Sequence, residues 1–286
     1  MDLRHAVSRT VCYADYFHFP LYPEEICHWL VCSRPVAFER LKSFLPEKIS
    51  KSGRLLRSKT TYYSEQKILH ARKMVRLLNH FPGLRMVALT GSVAANNSGK
   101  DDDIDLMFIT DPHVLWLVRP IVIILMTLFF RRRYPQEDHA HAPNAFCPNL
   151  WLDSFALVIP SSKQSLYTAH EVLQIIPLLD REGTYRRFIQ ANSWTKKYLA
   201  NAYTSLTNPN NRHSGPGPGI HPHTIPIRQL SSVICKLFLA PLNYLFYLIQ
   251  LLYMSPKKTT ETVHLHAAFL HTADFSSKLD SYLKTK

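Results

Sequence analysis

The sequence predicts an α+β protein in which a short sheet is embedded among helices. Three observations carry that expectation. Apolar residues recur at helical spacing over residues 3–45 and again beyond residue 160. Between them, Met86–Thr90 and Asp103–Thr110 are apolar runs of strand length separated by a polar loop. Hydrophobic residues make up 46% of the 286 positions, which is enough to build a core and too many for a disordered chain. The expected organisation is a small N-terminal module over 1–64, a mixed α/β core over 65–160 and a helical C-terminal region over 161–286. A linker rich in Pro, Gly, Asn and His interrupts the last region at about 207–227.

The N-terminal module opens with a helix over Leu3–Phe17. A second helix starts at Pro23, a residue suited to the first helical position, and carries Ile26, Trp29 and Leu30 on one side. Ser33 and Pro35 start a third, over Pro35–Phe44, with Phe38 and Leu41 inward. Ser52-Gly53 reads as a turn between two short strands, the second being Leu55–Tyr63. Three helices and a hairpin make a winged helix. Its third helix would offer Arg34, Arg40 and Lys42 to nucleic-acid phosphates, or form only a solvated basic face.

Gln66–Phe81 follows as an amphipathic helix ended by Pro82-Gly83, and Pro112–Phe130 as a mostly apolar one. The run Ile121–Phe130 covers about 15 Å as a helix, half a hydrocarbon core, so it is expected to lie buried against the sheet. Leu150–Leu152 and Phe155–Ile159 are further strand, paired if Asp153-Ser154 forms a turn. Leu166–Leu179, Thr184–Leu199 and Leu230–Met254 are expected helices. The last is long enough to span a bilayer. Lys236, Asn243 and Gln250 nevertheless recur at seven-residue spacing and put a polar seam along it, as in a core or partner-binding helix. Residues 230–254 are therefore the candidate surface for peripheral membrane or protein contact.

Lys and Arg number 34 against 21 Asp and Glu, a formal net charge of +13 that favours polyanionic partners. The five cysteines are odd in number and form no CxxC pair, so neither a disulfide framework nor a zinc ribbon is expected, and a reducing cytosol is the natural location. The first residues lack the apolar stretch of a signal peptide. His139 with His141, and His221 with His223, lack the further ligands a zinc site needs.

The chemistry is concentrated in residues 87–109. An apolar strand ends at Gly91-Ser92, a polar loop follows, and a second strand opens Asp103-Ile104-Asp105. Residues two apart on a strand share a face, so Asp103 and Asp105 project together while Ile104, Leu106 and Phe108 face away. Two carboxylates on one face suit Mg²⁺ beside substrate phosphates. Gly91 lets the backbone approach closely, and its N–H neighbours and the Ser92 hydroxyl can receive a triphosphate.

A strand ending in Gly-Ser, then about ten residues, then Asp-x-Asp at the head of the next strand resembles the DNA polymerase β-like nucleotidyltransferase superfamily. More narrowly, the chain resembles bacterial proteins that join an N-terminal winged helix to a minimal nucleotidyltransferase domain. That likeness also rests on Tyr13–Phe17, Pro23–Ile26, Asn149–Trp151, Ala191–Trp194 and Leu252–Met254. The resemblance implies Mg²⁺-dependent transfer of a nucleoside monophosphate from an NTP, with release of pyrophosphate. The acceptor, whether nucleic acid, protein or small molecule, stays open. Gly91, Ser92, Asp103 and Asp105 carry over directly. A third carboxylate on a neighbouring strand is also implied. Asp153 takes that place if Asn149, Trp151 and Asp153 share a strand face; a turn at Asp153-Ser154 would leave Asn149 nearest the metal instead. The alternative to an enzyme is a regulator that binds DNA or senses nucleotide through a degenerate site.

Overall fold

A computed structural model of the chain describes residues 2–134, 137, 142–208, 239–255, 261–270 and 275–285. The expected linker at 207–227 lies outside the described residues beyond Asn208, as do both histidine pairs and residues 230–238 of the last apolar stretch, with Lys236.

The fold is α+β, built on one six-stranded mixed sheet. In chain order its strands are β1 (Leu84–Leu89), β2 (Ile104–Thr110), β3 (Phe146–Asp153), β4 (Ile176–Asp180), β5 (Thr262–His264) and β6 (Ala267–Phe269), arranged β4-β1-β2-β3-β6-β5. Only β2 and β3 run parallel; every other neighbouring pair is antiparallel. The central strands are buried on both faces, so they read as continuous apolar runs rather than as an alternation.

One face of the sheet is covered by α3 (Lys51–Leu78), α5 (Leu115–Phe129) and α9 (Ala240–Met254), around Leu106, Phe108, Trp116 and Trp151. The other carries α1 (Leu3–Tyr16), α6 (Leu166–Gln174), α7 (Thr184–Ala191), α8 (Ala200–Thr207) and α10 (Phe275–Lys284), around Met107, Ile109, Phe188 and Leu279. A short helix α2 (Pro23–His28) packs with α1 and Leu41 into a small core that reaches Ala200. A four-residue helix, α4 (Gly91–Ala94), follows β1 directly.

The N-terminal module departs from the winged helix that the sequence suggested. The expected hairpin is absent: Ser50 caps α3, its Oγ accepting from Gly53 N at 3.0 Å, and Leu55–Tyr63 continues as helix into the expected Gln66–Phe81 segment. The reason is a buried stripe at Gly53, Arg57, Thr60, Ser64 and Lys67, which holds helical spacing but is almost wholly polar. A reading by apolar periodicity does not see it. Arg57 makes a two-pronged pair with Glu25 at 2.7 and 2.8 Å and lies over the Phe19 ring. The expected third helix, Pro35–Phe44, is two 3₁₀ turns, Phe38–Arg40 and Lys42–Phe44, pinned by buried Leu41. Arg34, Arg40 and Lys42 are exposed there, Lys42 in a surface pair with Glu39, and none presents a recognition helix.

Two smaller corrections concern the core. The expected helix Leu166–Leu179 stops at Gln174, because Ile176–Asp180 pairs with β1 as the edge strand β4. Phe155–Ile159 forms no strand.

Candidate functional site

Gly91 and Asp105 are fitted to each other. Gly91 has a positive φ of 63°, and a Cβ built on it would overlap the carboxylate of Asp105. Thr90 N donates to Asp105 O at 3.1 Å, so the end of β1 is locked to the start of β2. The glycine that the sequence assigned to a phosphate turn is thus also required by the carboxylate behind it.

Asp103 and Asp105 come together as their spacing implied. Ligand atoms of Asp103, Asp105 and Cys147 all lie within 4.8 Å of one another. Cys147 arrives through the parallel register, directly beside Asp105 on β3. Each carboxylate accepts a hydrogen bond, but among the described residues only Asp103 has a cationic partner. Arg133 Nη1 donates to Asp103 Oδ2 at 2.8 Å, and Asn149 Nδ2 donates to Asp105 Oδ1 at 2.6 Å. The Oδ1 of Asn149 is buried without a hydrogen-bond partner among the described residues.

Ser92 lines the same cavity, and its hydroxyl donates to Asp102 Oδ2 at 3.1 Å. Gly99 N donates to that oxygen at 2.8 Å, so Asp102 closes the loop between Ser92 and the site. The loop is held from below by Lys67, whose buried ammonium donates to Ser98 Oγ, Gly99 O and Asp102 O at 3.0, 2.6 and 2.7 Å.

Asp153 is not part of this site. Asp105 pairs with Cys147, but Thr110 pairs with Asp153, which puts Asp153 at the other end of the ladder, roughly 16 Å away along the strand. It also faces the wrong way. Leu106 pairs with Pro148 and Met107 with Leu150, so Asn149 is an extra residue in a bulge. The bulge reverses the alternation beyond it. Asn149 stays on the face of Asp105, whereas Trp151 stacks on Phe108 on the opposite face. Asp153 instead accepts from His113 N at 2.8 Å and Phe155 N at 2.6 Å, with His266 Nδ1 at 3.1 Å. It shapes a turn.

Among the further carboxylates that line the cavity, Glu171 on α6 is the one whose charge acts on Asp105 together with those of Asp103 and Asp102. Burial pushes Glu171 up to about 7, opposed by the Gly91 backbone N–H that donates to it. Burial also raises Asp105 well above the usual carboxylate range, reinforced by the charges of Asp103 and Glu171 and opposed by Arg133. Asp105 keeps some surface, but that surface faces the cavity and not bulk solvent. Burial and the two aspartates keep Cys147 a neutral thiol.

The cavity has a volume of about 1550 Å³ and two arms. One is aromatic: Tyr13, Phe17, Trp29, Tyr167 and His170 line it. Tyr13 stacks on His170 at 3.9 Å, and both ring nitrogens of buried His170 lack hydrogen-bond partners among the described residues. Burial lowers His170 to about 3, so the ring is neutral. The other arm lies beside α5 and α9 and includes Arg119, Arg132, Ile123, Ile124, Gln250 and Met254. The sequence marked Gly91, Ser92, Asp103, Asp105 and Asn149. It did not mark Glu171, Arg133, Lys67 or Cys147, which sit among apolar or loop residues and reach the site only through packing.

Comparisons with protein-family models, with curated proteins and with solved structures find no match to this chain.

Proposed function

We propose that the chain is a Mg²⁺-dependent nucleotidyltransferase that moves a nucleoside monophosphate from an NTP to an acceptor. The observation that carries this is the close fit of Gly91 against Asp105, with Asp103 beside it and Ser92 opening into the same cavity. Two oxygen donors with room for phosphate suit Mg²⁺, while Cys147, kept as a thiol, adds little to a hard cation. Asp103 and Asp105 would hold the ion, which would neutralise charge on the phosphates.

The chain's own residues divide the remaining work. Phe17, Trp29 and Tyr167, partly exposed at the cavity, would give a purine or pyrimidine ring an aromatic surface to stack on. Gly91 and Ser92 line the same cavity, and the Ser92 hydroxyl, held by Asp102, would have to turn to a phosphate to serve it. Arg133 balances Asp103 until phosphate arrives and can then turn to it, as a planar guanidinium is suited to do. Glu171 brings a further carboxylate to the same cavity, near enough for its charge to act on Asp105.

A second reading is a nucleotide sensor without turnover. It is favoured by Asn149, a neutral amide against Asp105, and by the Arg133 pair on Asp103. One experiment separates the two. The protein is incubated with each α-phosphorus-labelled NTP, Mg²⁺, and RNA, protein or lipid extracts. Label in an acceptor, lost with Asp105→Asn, supports transfer. Saturable NTP binding with no labelled acceptor and no pyrophosphate supports the sensor.

A further inference from the structure

The helix α9 turns its amides inward and leaves one apolar side uncovered. Its polar residues face the protein: Asn243 Oδ1 accepts from Trp116 N at 2.8 Å, Gln250 Nε2 donates to Trp116 O at 2.7 Å, and Gln250 Oε1 accepts from Arg119 Nη1 at 2.8 Å. Phe246, Tyr247, Leu251 and Met254 pack on the core, but the rest of its apolar surface faces out, with Leu252 75%, Tyr253 69% and Ile249 53% exposed. The neighbouring α5 continues the surface through Leu128 (70% exposed), Phe129 (62%) and Ile124 (56%). Polar groups inward and large apolar groups outward is the arrangement of a helix whose outer solvent is hydrocarbon. Among the described residues no helix is long and apolar enough to cross a membrane. An uncovered apolar side of this kind is suited to lie in a membrane interface.

Beneath this surface Arg119 and Arg132 both line the cavity, and each has a buried Nε with no hydrogen-bond partner among the described residues. No carboxylate among the described residues pairs with either, and each repels the other's charge. Burial, with Arg132 adding to it, holds Arg119 down to about 10. Arg119 bonds Gln250 and lies over the Trp116 and Trp151 rings, and Arg132 lies over Tyr134, but none of these partners is an anion, and two like charges lining one cavity are suited to receive one.

We propose that the α5–α9 face rests on a phospholipid surface, and that Arg119 and Arg132 receive the phosphomonoester of a lipid drawn from it. The identification of that lipid as the acceptor rests on the nucleotidyl transfer proposed above. In that step a phosphate oxygen of the lipid bonds to the α-phosphorus of the NTP. The bond from that phosphorus to the β-phosphate bridge breaks, and pyrophosphate leaves with the electron pair. A phosphomonoester with a second pKa of about 6 is already ionised at neutral pH, so its attack needs no general base. The neutral Asn149 beside Asp105, awkward for a hydroxyl acceptor, is sufficient for this one.

The test is co-sedimentation of the full chain with phosphatidylcholine vesicles, with and without phosphatidic acid, in the absence of NTP and Mg²⁺. Binding is expected only when phosphatidic acid is present. The double substitution Leu128→Asp, Leu252→Asp, at exposed positions that leave the core intact, is expected to cut the bound fraction at least about tenfold. Arg119→Gln is expected to lower phosphatidic acid binding about tenfold, and Arg119→Lys to restore part of it. Sedimentation without NTP and Mg²⁺ reads lipid binding alone, so a failure of transfer and a failure of lipid binding are told apart. Four results overturn the proposal. These are no vesicle binding, equal binding to phosphatidylcholine alone, displacement by millimolar glycerol phosphate, or a dimer in sedimentation velocity that Leu252→Asp dissociates. The third assigns the arginines to a soluble phosphoester and the fourth assigns the face to a second copy.

Discussion

Asp105 and Asp153 stand at opposite ends of the same pair of parallel strands, and their surroundings are opposite in kind. Asp153 is fully enclosed and accepts from two backbone N–H groups beside a histidine. Asp105 accepts one amide hydrogen and is pressed by Asp103 and Glu171. A carboxylate given all its donors serves the fold, because charged hydrogen bonds offset the cost of burying it. One left short of donors beside like charges is held ready for a cation or a substrate. The sequence shows two aspartates in apolar strands. What distinguishes them is how many donors the tertiary structure turns toward each.

Substitution breaks this comparison most directly. Asp105→Asn is expected to lower NTP-dependent labelling at least about a thousandfold, with little loss of stability. Asp153→Asn is expected to leave turnover per folded molecule within about threefold while costing about 2–4 kcal/mol in urea denaturation. The reverse pattern would return Asp153 to the site. Next in size is Gly91→Ala, which forces a Cβ against the Asp105 carboxylate at a left-handed φ. A displacement of about 1 Å there is expected to cost about a hundredfold in labelling. An active Gly91→Ala protein would show that the tight fit is dispensable.

A pH series sharpens the comparison at Glu171. Its folded-state value, about 7, lies above the ordinary 4.5. Its contribution to stability is therefore fully present below pH 4.5 and is lost as pH rises through 7. In buffer free of divalent cations, the thermal midpoint of the protein relative to Glu171→Gln is expected to fall across that window. Parallel profiles would mean that Glu171 is better solvated than its position indicates. The smallest effects belong to the surface. Arg40→Ala and Lys42→Ala are expected to shift stability by no more than about 0.5 kcal/mol and to leave labelling unchanged. Weakened nucleic-acid binding that falls steeply with salt in these variants would restore the basic N-terminal patch as an interface.

The sequence by itself determined the centre of the site. Gly91-Ser92 closes an apolar strand, Asp103 and Asp105 share a face by the two-residue period of a strand, and both features are local. It also determined the α+β class and the short strands β1 and β2, whose apolar runs are bounded by turn residues. Only the tertiary structure decided the rest. A bulge at Asn149 reversed the face of every residue after it and took Asp153 out of the site, and no side-chain pattern announces a bulge. A polar buried stripe made Lys51–Leu78 one helix, because Arg57 and Lys67 found partners on segments distant in sequence. Glu171 became a site residue through the packing of α6 against the end of the sheet. The polar seam of α9 was legible, but not that it faces inward and leaves the apolar side uncovered. That depends on Trp116 and Arg119, more than a hundred residues earlier in the chain, which take up the amides of Asn243 and Gln250.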